Sequence, residues 1–235
     1  MNSPHELGVL AASKAALEAV DPKFIKDGLR KARDKTKEVY ELILKNLKEG
    51  MSEDDARRMT LQICTDLGVK KHWHRPYIRF GVGTTLTFND PVQPTYPLAK
   101  GDACYIDLGP VWPDEELGLE YEGDYGDSFV FGENPEAQKC GDACRMLFQE
   151  ARDAWAKDKL SGQAVYELLK RRSEELGYEL LDEVAGHRVG DFPHHRFSKS
   201  SLAELAFIPS DTLWILEVQI IDKQKRFGAF YEDIL

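Results

Sequence analysis

The stretch CYIDLGPVWPDEELGLEYEGDYGDSFVFG, residues 104–132, decides how this chain folds. Its β-rich runs, CYIDLG, LEYEG and SFVFG, are separated by Gly, Pro and Asp clusters, the punctuation of antiparallel strands. With YIRFGVG (77–83) and TTLTF (84–88) ahead of it, the span from His72 to Gly132 reads as an antiparallel sheet. Upstream, residues 23–49 carry Phe24, Ile25, Leu29, Tyr40, Leu42, Ile43 and Leu47 on a charged background, the pattern of an amphipathic helix ending at Gly50. Ser52, followed by Glu53, Asp54 and Asp55, caps a second helix that runs to about Leu67 and stops at Gly68.

Downstream the order repeats. Residues 135–157 and 161–176 return to helical spacing, and YELLDEV, SLAELAFI, TLWILEVQIID and GAFYEDIL read as strands. GENPEAQ, between the two parts, is a turn rather than a linker. The expected fold is therefore α+β, a single domain over 23–235 in two similar halves, about 23–132 and 133–235. Each helix pair covers one side of a curved sheet, and residues 1–22 form a helical lead-in.

At 235 residues the chain can bury an ample core without disulfides. Its cysteines, Cys64, Cys104, Cys140 and Cys144, complete no zinc-ligand pattern and read as structural thiols of a reducing compartment. No stretch approaches a membrane span and the N-terminus has no basic leader, so the expected location is the cytoplasm. A formal net charge of −10 argues against a phosphate-backbone partner, which needs clustered Lys and Arg.

Asp and Glu are depleted in strands and costly in a core unless paired or metal-bound. Four nevertheless sit in the most apolar strand runs: Asp107 in CYIDLG, Asp124 beside YGDSFVFG, Glu217 in LWILEVQII and Glu232 in AFYEDIL. The first half supplies two aspartates and the second two glutamates, which suits a site on the axis between the halves. Four carboxylates in one pocket repel unless cations neutralise them, and two divalent ions supply that charge. His187, in AGHRVGDFPHH, adds one imidazole, and oxygen donors with a single nitrogen suit Mn, Fe, Co or Zn. The competing reading puts each carboxylate on an exposed strand face. His72 and His74 flank Trp73 at a spacing that places both on one strand face. A plain structural role is the preferred reading for that pair, with a loop near a cleft or a second metal site as the alternatives.

These residues resemble the pita-bread metallopeptidases, a family comprising methionine aminopeptidases, Xaa-Pro aminopeptidases and prolidases. YIDLG (105–109), DYGDSFVFG (124–132), GHRVG (186–190), ILEVQ (215–219) and FYEDI (230–234) follow the order of that family's ligand motifs. The resemblance implies a pita-bread fold, a pair of divalent ions held by Asp107, Asp124, His187, Glu217 and Glu232, and Asp124 and Glu232 as the bridging ligands. It implies attack on a peptide carbonyl by a water made acidic between the two ions, with Glu217 as proton acceptor and His194, seven residues past His187, as substrate contact and oxyanion donor. Asn89 stands near the position where the family has another substrate histidine, and Arg188 replaces a glycine beside His187. Both are candidate substrate-binding residues. The expected activity is hydrolysis of a peptide bond next to the N-terminus of a small peptide, with Xaa-Pro favoured over Met-X. Alternatives are hydrolysis of a small non-peptide amide and a non-catalytic binding module. A homodimer is compatible with the resemblance.

Overall fold

The computed structural model describes residues 14–91, 96–192 and 200–235. Helix α1 (Lys26–Asn46) buries Leu29, Ala32, Thr36, Val39, Tyr40 and Ile43, the three-and-four spacing of one helical face. Helix α2 (Glu53–Asp66) opens with a reciprocal cap in which Ser52 Oγ accepts the Asp55 amide and the Asp55 carboxylate accepts the Ser52 amide. Asn134 caps α3 (Pro135–Asp158), with Pro135 in its first turn, where no amide is missed. Ser161 caps α4 (Gly162–Leu176), which ends at Gly177 in the left-handed region, φ 89°. Cys140 and Cys144 lie one turn apart on the buried face of α3, and all four cysteines are free and buried.

The strands are β1 (Lys71–His72), β2 (Tyr77–Phe80), β3 (Asp102–Leu108), β4 (Pro110–Asp114), β5 (Leu119–Glu122), β6 (Tyr125–Phe131), β7 (Tyr178–Leu180), β8 (His187–Arg188), β9 (Asp191–Phe192), β10 (Trp214–Asp222) and β11 (Gly228–Ile234). The main sheet runs β2-β3-β6-β11-β10-β7, with β8 also on β10. The expected single sheet is divided: β1-β4-β5-β9 form a second ladder. The chain leaves the main sheet at Gly109 and Pro110, where the Gly109 carbonyl accepts the Trp73 amide and Pro110 starts β4, a position where a strand tolerates proline.

Two expected strands do not form. TTLTF begins inside a 3-10 turn over Gly81–Thr85. The carbonyls of Thr84 and Leu86 accept Gln219 Nε2, and that of Thr87 accepts Arg79 Nη2, so buried side chains take acceptors that a ladder would need. SLAELAFI holds a 3-10 turn over Leu202–Glu204, opened by a Ser201–Glu204 capping box. Among the described residues no helix is long and apolar enough to cross a membrane.

Arg79 anchors the loop after β2. It is 1 % exposed, as is Glu53 at the start of α2, and the two pair at 3.6 Å. Its guanidinium donates to the carbonyls of Thr87, Asp90 and Pro91 at 2.9–3.0 Å. Removing one partner of a buried ion pair leaves the other charge in a dry interior, which costs about 3–5 kcal/mol. Arg79→Ala is therefore expected to lose stability on that scale in urea unfolding. A loss under about 1 kcal/mol would mean that water reaches Glu53.

Candidate metal centre

Strand register sets the candidate site. Asp107 on β3 lies opposite Gly126 on β6, Gly126 opposite Glu232 on β11, and Glu232 opposite Glu217 on β10. One row thus crosses four strands and carries carboxylates at three positions and a glycine at the fourth. Asp124, two residues before Gly126, shares its face of the strand and brings a carboxylate oxygen within 4.8 Å of ligand atoms of Asp107 and of Glu232. His187 arrives on β8, paired opposite Ile215 of β10.

The side chains converge on Asp124, which is 1 % exposed. Its Oδ2 is 2.8 Å from His187 Nε2, and its Oδ1 is 3.4 Å from His74 Nε2. His74 Nε2 is also 3.3 Å from Asp107 Oδ1. Asp124, His187 and Glu232 each offer a ligand atom within 4.8 Å of the other two, and so do His74, Asp107 and Asp124. Glu217 completes the row, its Oε2 accepting the Gly186 amide at 2.7 Å.

So much negative charge in a buried space displaces proton equilibria. Burial pushes the Asp107 carboxyl up to about 6, with Asp124 and Glu217 adding to the shift and His74 opposing it. Burial, then the charges of Asp107, Asp124 and Glu217, push Glu232 well above the usual carboxylate range. Burial would raise Asp124 too, but its hydrogen bond to His187 and its contact with His74 override that and hold it below its usual value. Burial opposes charge on His74, yet Asp107 and Asp124 raise its imidazole to about 10. His187 is raised well above its usual value against the same opposition, chiefly by Asp124. In the metal-free protein the two imidazoliums thus stand where cations would otherwise balance the carboxylates.

The donor set fits divalent ions. Asp107 Oδ1 and Glu232 Oε1 are buried with no hydrogen-bond donor, a costly condition for a carboxylate that a cation relieves. Carboxylate oxygens with imidazole nitrogen suit Mn, Fe, Co or Zn. One member of this cluster and one acidic neighbour of it lie outside the sequence-based set. His74 is the member, contrary to the structural role preferred for it. The neighbour is Glu122, closing β5, buried beside the cluster and pushed well above the usual carboxylate range by burial and by the Asp124 charge.

The other expected site residues are Arg188, Asn89 and His194. Arg188 is buried, and its guanidinium donates to the carbonyls of Leu17, Ala19 and Leu213, so a substrate would have to compete with three backbone acceptors for it. Asn89 is exposed on the loop that Arg79 anchors, its amide on Thr87 Oγ1. His194 lies outside the described residues. Asp127, one residue after Gly126, points to the opposite face and pairs with Arg145 of α3 at 2.9 Å.

Gly126 is the one position in the row where a side chain would block the site. A Cβ there would lie 2.5 Å from Phe230 Cε1, 2.8 Å from Glu232 Oε1 and 3.1 Å from the Ile106 carbonyl oxygen. Gly126→Ala is expected to displace Glu232 and lower Mn affinity at least about tenfold, with about 1–3 kcal/mol of overpacking cost. Calorimetric titration and urea unfolding check this. Unchanged affinity would place Glu232 outside the ion's reach.

The sequence pattern of metallopeptidase family M24 matches residues 27–235. Among solved structures, the prolidase from Thermococcus sibiricus superposes with a TM-score of 0.74 at 18 % identity, covering 99 % of this chain and 65 % of its own. The X-Pro aminopeptidase from Thermotoga maritima MSB8 gives 0.74 at 14 % identity, covering 95 % of this chain and 61 % of its own. The methionine aminopeptidase from Rickettsia prowazekii gives 0.61 at 10 % identity, covering 100 % and 94 %. This chain thus spans less than two thirds of the length of the first two. Identities this low establish a common fold. No curated protein sequence matches the chain.

Proposed function

The chain belongs to metallopeptidase family M24, and on that premise we propose that it hydrolyses the peptide bond next to the N-terminus of a small peptide, proline second being the favoured sequence. The observation that carries the reading is the row of carboxylates across β3, β6, β11 and β10, with buried oxygens that have no protein donor. Asp107, Asp124, His187, Glu217 and Glu232 would hold a pair of divalent ions, Mn or Co first among Mn, Co, Fe and Zn, with Asp124 and Glu232 shared. Bound there, the ions supply Lewis acidity and a water acidic enough to attack a carbonyl.

The protein's own groups have distinct tasks. Glu217, oriented by the Gly186 amide, takes the proton of the attacking water. His194 contacts the substrate and donates to the oxyanion. Asn89 rides on a loop fixed by Arg79 and Gln219, which suits a positioning contact. Four buried free thiols support a cytoplasmic setting, and a homodimer agrees with the reading. A second reading, hydrolysis of a small non-peptide amide, is favoured by one observation: Phe88-Asn89-Asp90 stands near the position where an imidazole was expected.

A panel of Xaa-Pro and Met-X dipeptides and small non-peptide amides, offered to Mn- or Co-loaded protein of known metal content, tests the reading. Turnover of Xaa-Pro is expected. Turnover of amides alone selects the second reading, and no turnover with both ions bound makes the protein a binding module. His194→Ala is expected to keep its metal and lose about 10²-fold in kcat, the scale of one lost acid–base or oxyanion group. Unchanged turnover would leave that task to His195 or Asn89.

A further inference from the structure

We infer that His74 is a sixth metal ligand, serving the ion on the Asp107 side, so that each ion of the pair carries one imidazole. The inference rests on the reading that this cluster binds two cations. It adds a residue that neither the carboxylate row nor the motif order assigns.

The two histidines are placed alike about Asp124. His187 Nε2 faces Oδ2 at 2.8 Å, and His74 Nε2 faces Oδ1 at 3.4 Å. In both rings the other nitrogen meets the carbonyl of the next residue: His74 Nδ1 lies 2.8 Å from the Arg75 oxygen, and His187 Nδ1 lies 3.1 Å from the Arg188 oxygen. A carbonyl only accepts, so Nδ1 carries the proton in each ring. In the neutral ring, Nε2 then keeps its lone pair, aimed at the carboxylates. Metal-binding histidines are held in this way, the distal N–H fixed on a carbonyl so that the ligating nitrogen is oriented and made more basic.

The surroundings of His74 are built for that pose. The ring lies over Gly109, where a Cβ would come within 2.4 Å of both Cδ2 and Nε2. It stacks on Tyr77 with centroids 5.5 Å apart and planes at 21°. The backbone before it is fixed by the Trp73 amide on the Gly109 carbonyl and by the pairing of His72 with Pro110. Asp107 Oδ1, 3.3 Å from Nε2, is one of the buried oxygens without a donor. An ion there would have one nitrogen from His74 and oxygens from Asp107 and Asp124, matching the nitrogen of His187 and the oxygens of Asp124 and Glu232 on the other side. An imidazole on each ion shifts the preference away from Mn and toward Co or Zn, since imidazole suits the later metals better than the hard, oxygen-preferring ones.

The test loads the full chain with Co(II) and counts hyperfine-shifted, exchangeable imidazole N–H protons by NMR. Two signals are expected, one from the Nδ1–H of each histidine, and one in His74→Ala. Wild-type protein showing a single signal with both ions bound overturns the inference without any variant. Calorimetric titration should find two ions in wild type. In His74→Ala one is held as before and the other weakened at least about tenfold, because even an outer-shell partner of a metal ligand costs that much. Millimolar imidazole should restore the weakened ion, which mere unfolding would not allow. Two ions at wild-type affinity in His74→Ala overturn the inference while leaving the proposed function standing. Failure of the wild-type chain to bind a second ion overturns both.

Discussion

Asp124→Asn is expected to lose at least one cation and to lower kcat/KM by about 10³-fold or more, while Asp127→Asn keeps both cations and much of the rate. The two aspartates stand three residues apart in DYGDSFVFG, and either can be read as the motif's second acid. The register separates them. Asp124 shares the face of Gly126 and meets both histidines, one at each carboxylate oxygen, so its loss unseats a shared ligand. One lost transition-state donor already costs 10²–10³-fold, and losing a cation removes more. Asp127 lies on the other face, against Arg145 and the Tyr125 hydroxyl. Its amide variant should show a lower melting temperature and little else. Metal content by elemental analysis and steady-state kinetics on the two variants check this, and a reversed pattern would shift β6 by one residue.

Exhaustive chelation should abolish hydrolysis and lower the melting temperature by about 5–10 °C. A ligand present at a hundredfold over its dissociation constant stabilises the folded state by about 2.7 kcal/mol, and about 2–4 °C per kcal/mol applies to a domain of this size. The same experiment run in reverse reports on protons. In the metal-free protein the acid of Asp107 is pushed up to about 6, that of Glu232 well above the usual carboxylate range, and the imidazole of His74 to about 10. At pH 7 the empty cluster therefore holds protons that the loaded cluster cannot keep. Ion binding should release them, and affinity should rise as pH is raised. Titrations in buffers of different ionisation enthalpy measure this release. Zero release at pH 7 would mean that the cluster, the His74 imidazole included, holds no proton there that an ion displaces.

Much of this architecture is legible in the sequence because its signals are local. Ser52 and Ser161 announce their helices with side chains that reach only three residues ahead. The four strand carboxylates stand out because their neighbours are apolar, and the structure brings them together with His187. Of the two misread segments, one depends on a partner far along the chain. TTLTF has the composition of a strand, yet Gln219 and Arg79 take its carbonyls. The Ser201–Glu204 box is a local signal that the apolar run SLAELAFI obscured. His74 was legible only as one of a pair on a strand face. What brings it beside Asp124 is the pairing of β1 with β4 and the bare backbone at Gly109, and neither can be read from residues 72–74 alone. Arg188 looked like a substrate contact because it follows His187. Successive residues of a strand face opposite ways, so adjacency to a ligand argues against sharing its site.

That opposite direction gives the lead-in a role. Glu18 accepts the Trp214 indole N–H and the amide and hydroxyl of Ser210, while Arg188 grips the carbonyls of Leu17 and Ala19. The strand that presents His187 on one side is thus moored on the other to residues 17–19, ahead of the region matched to the family. A protease that clips the chain near residue 20 would leave every candidate ligand in place and still slacken the strand that aims one of them. A fragment trimmed to the stretch that kinship outlines is therefore expected to hold His187 less firmly than the longer chain does.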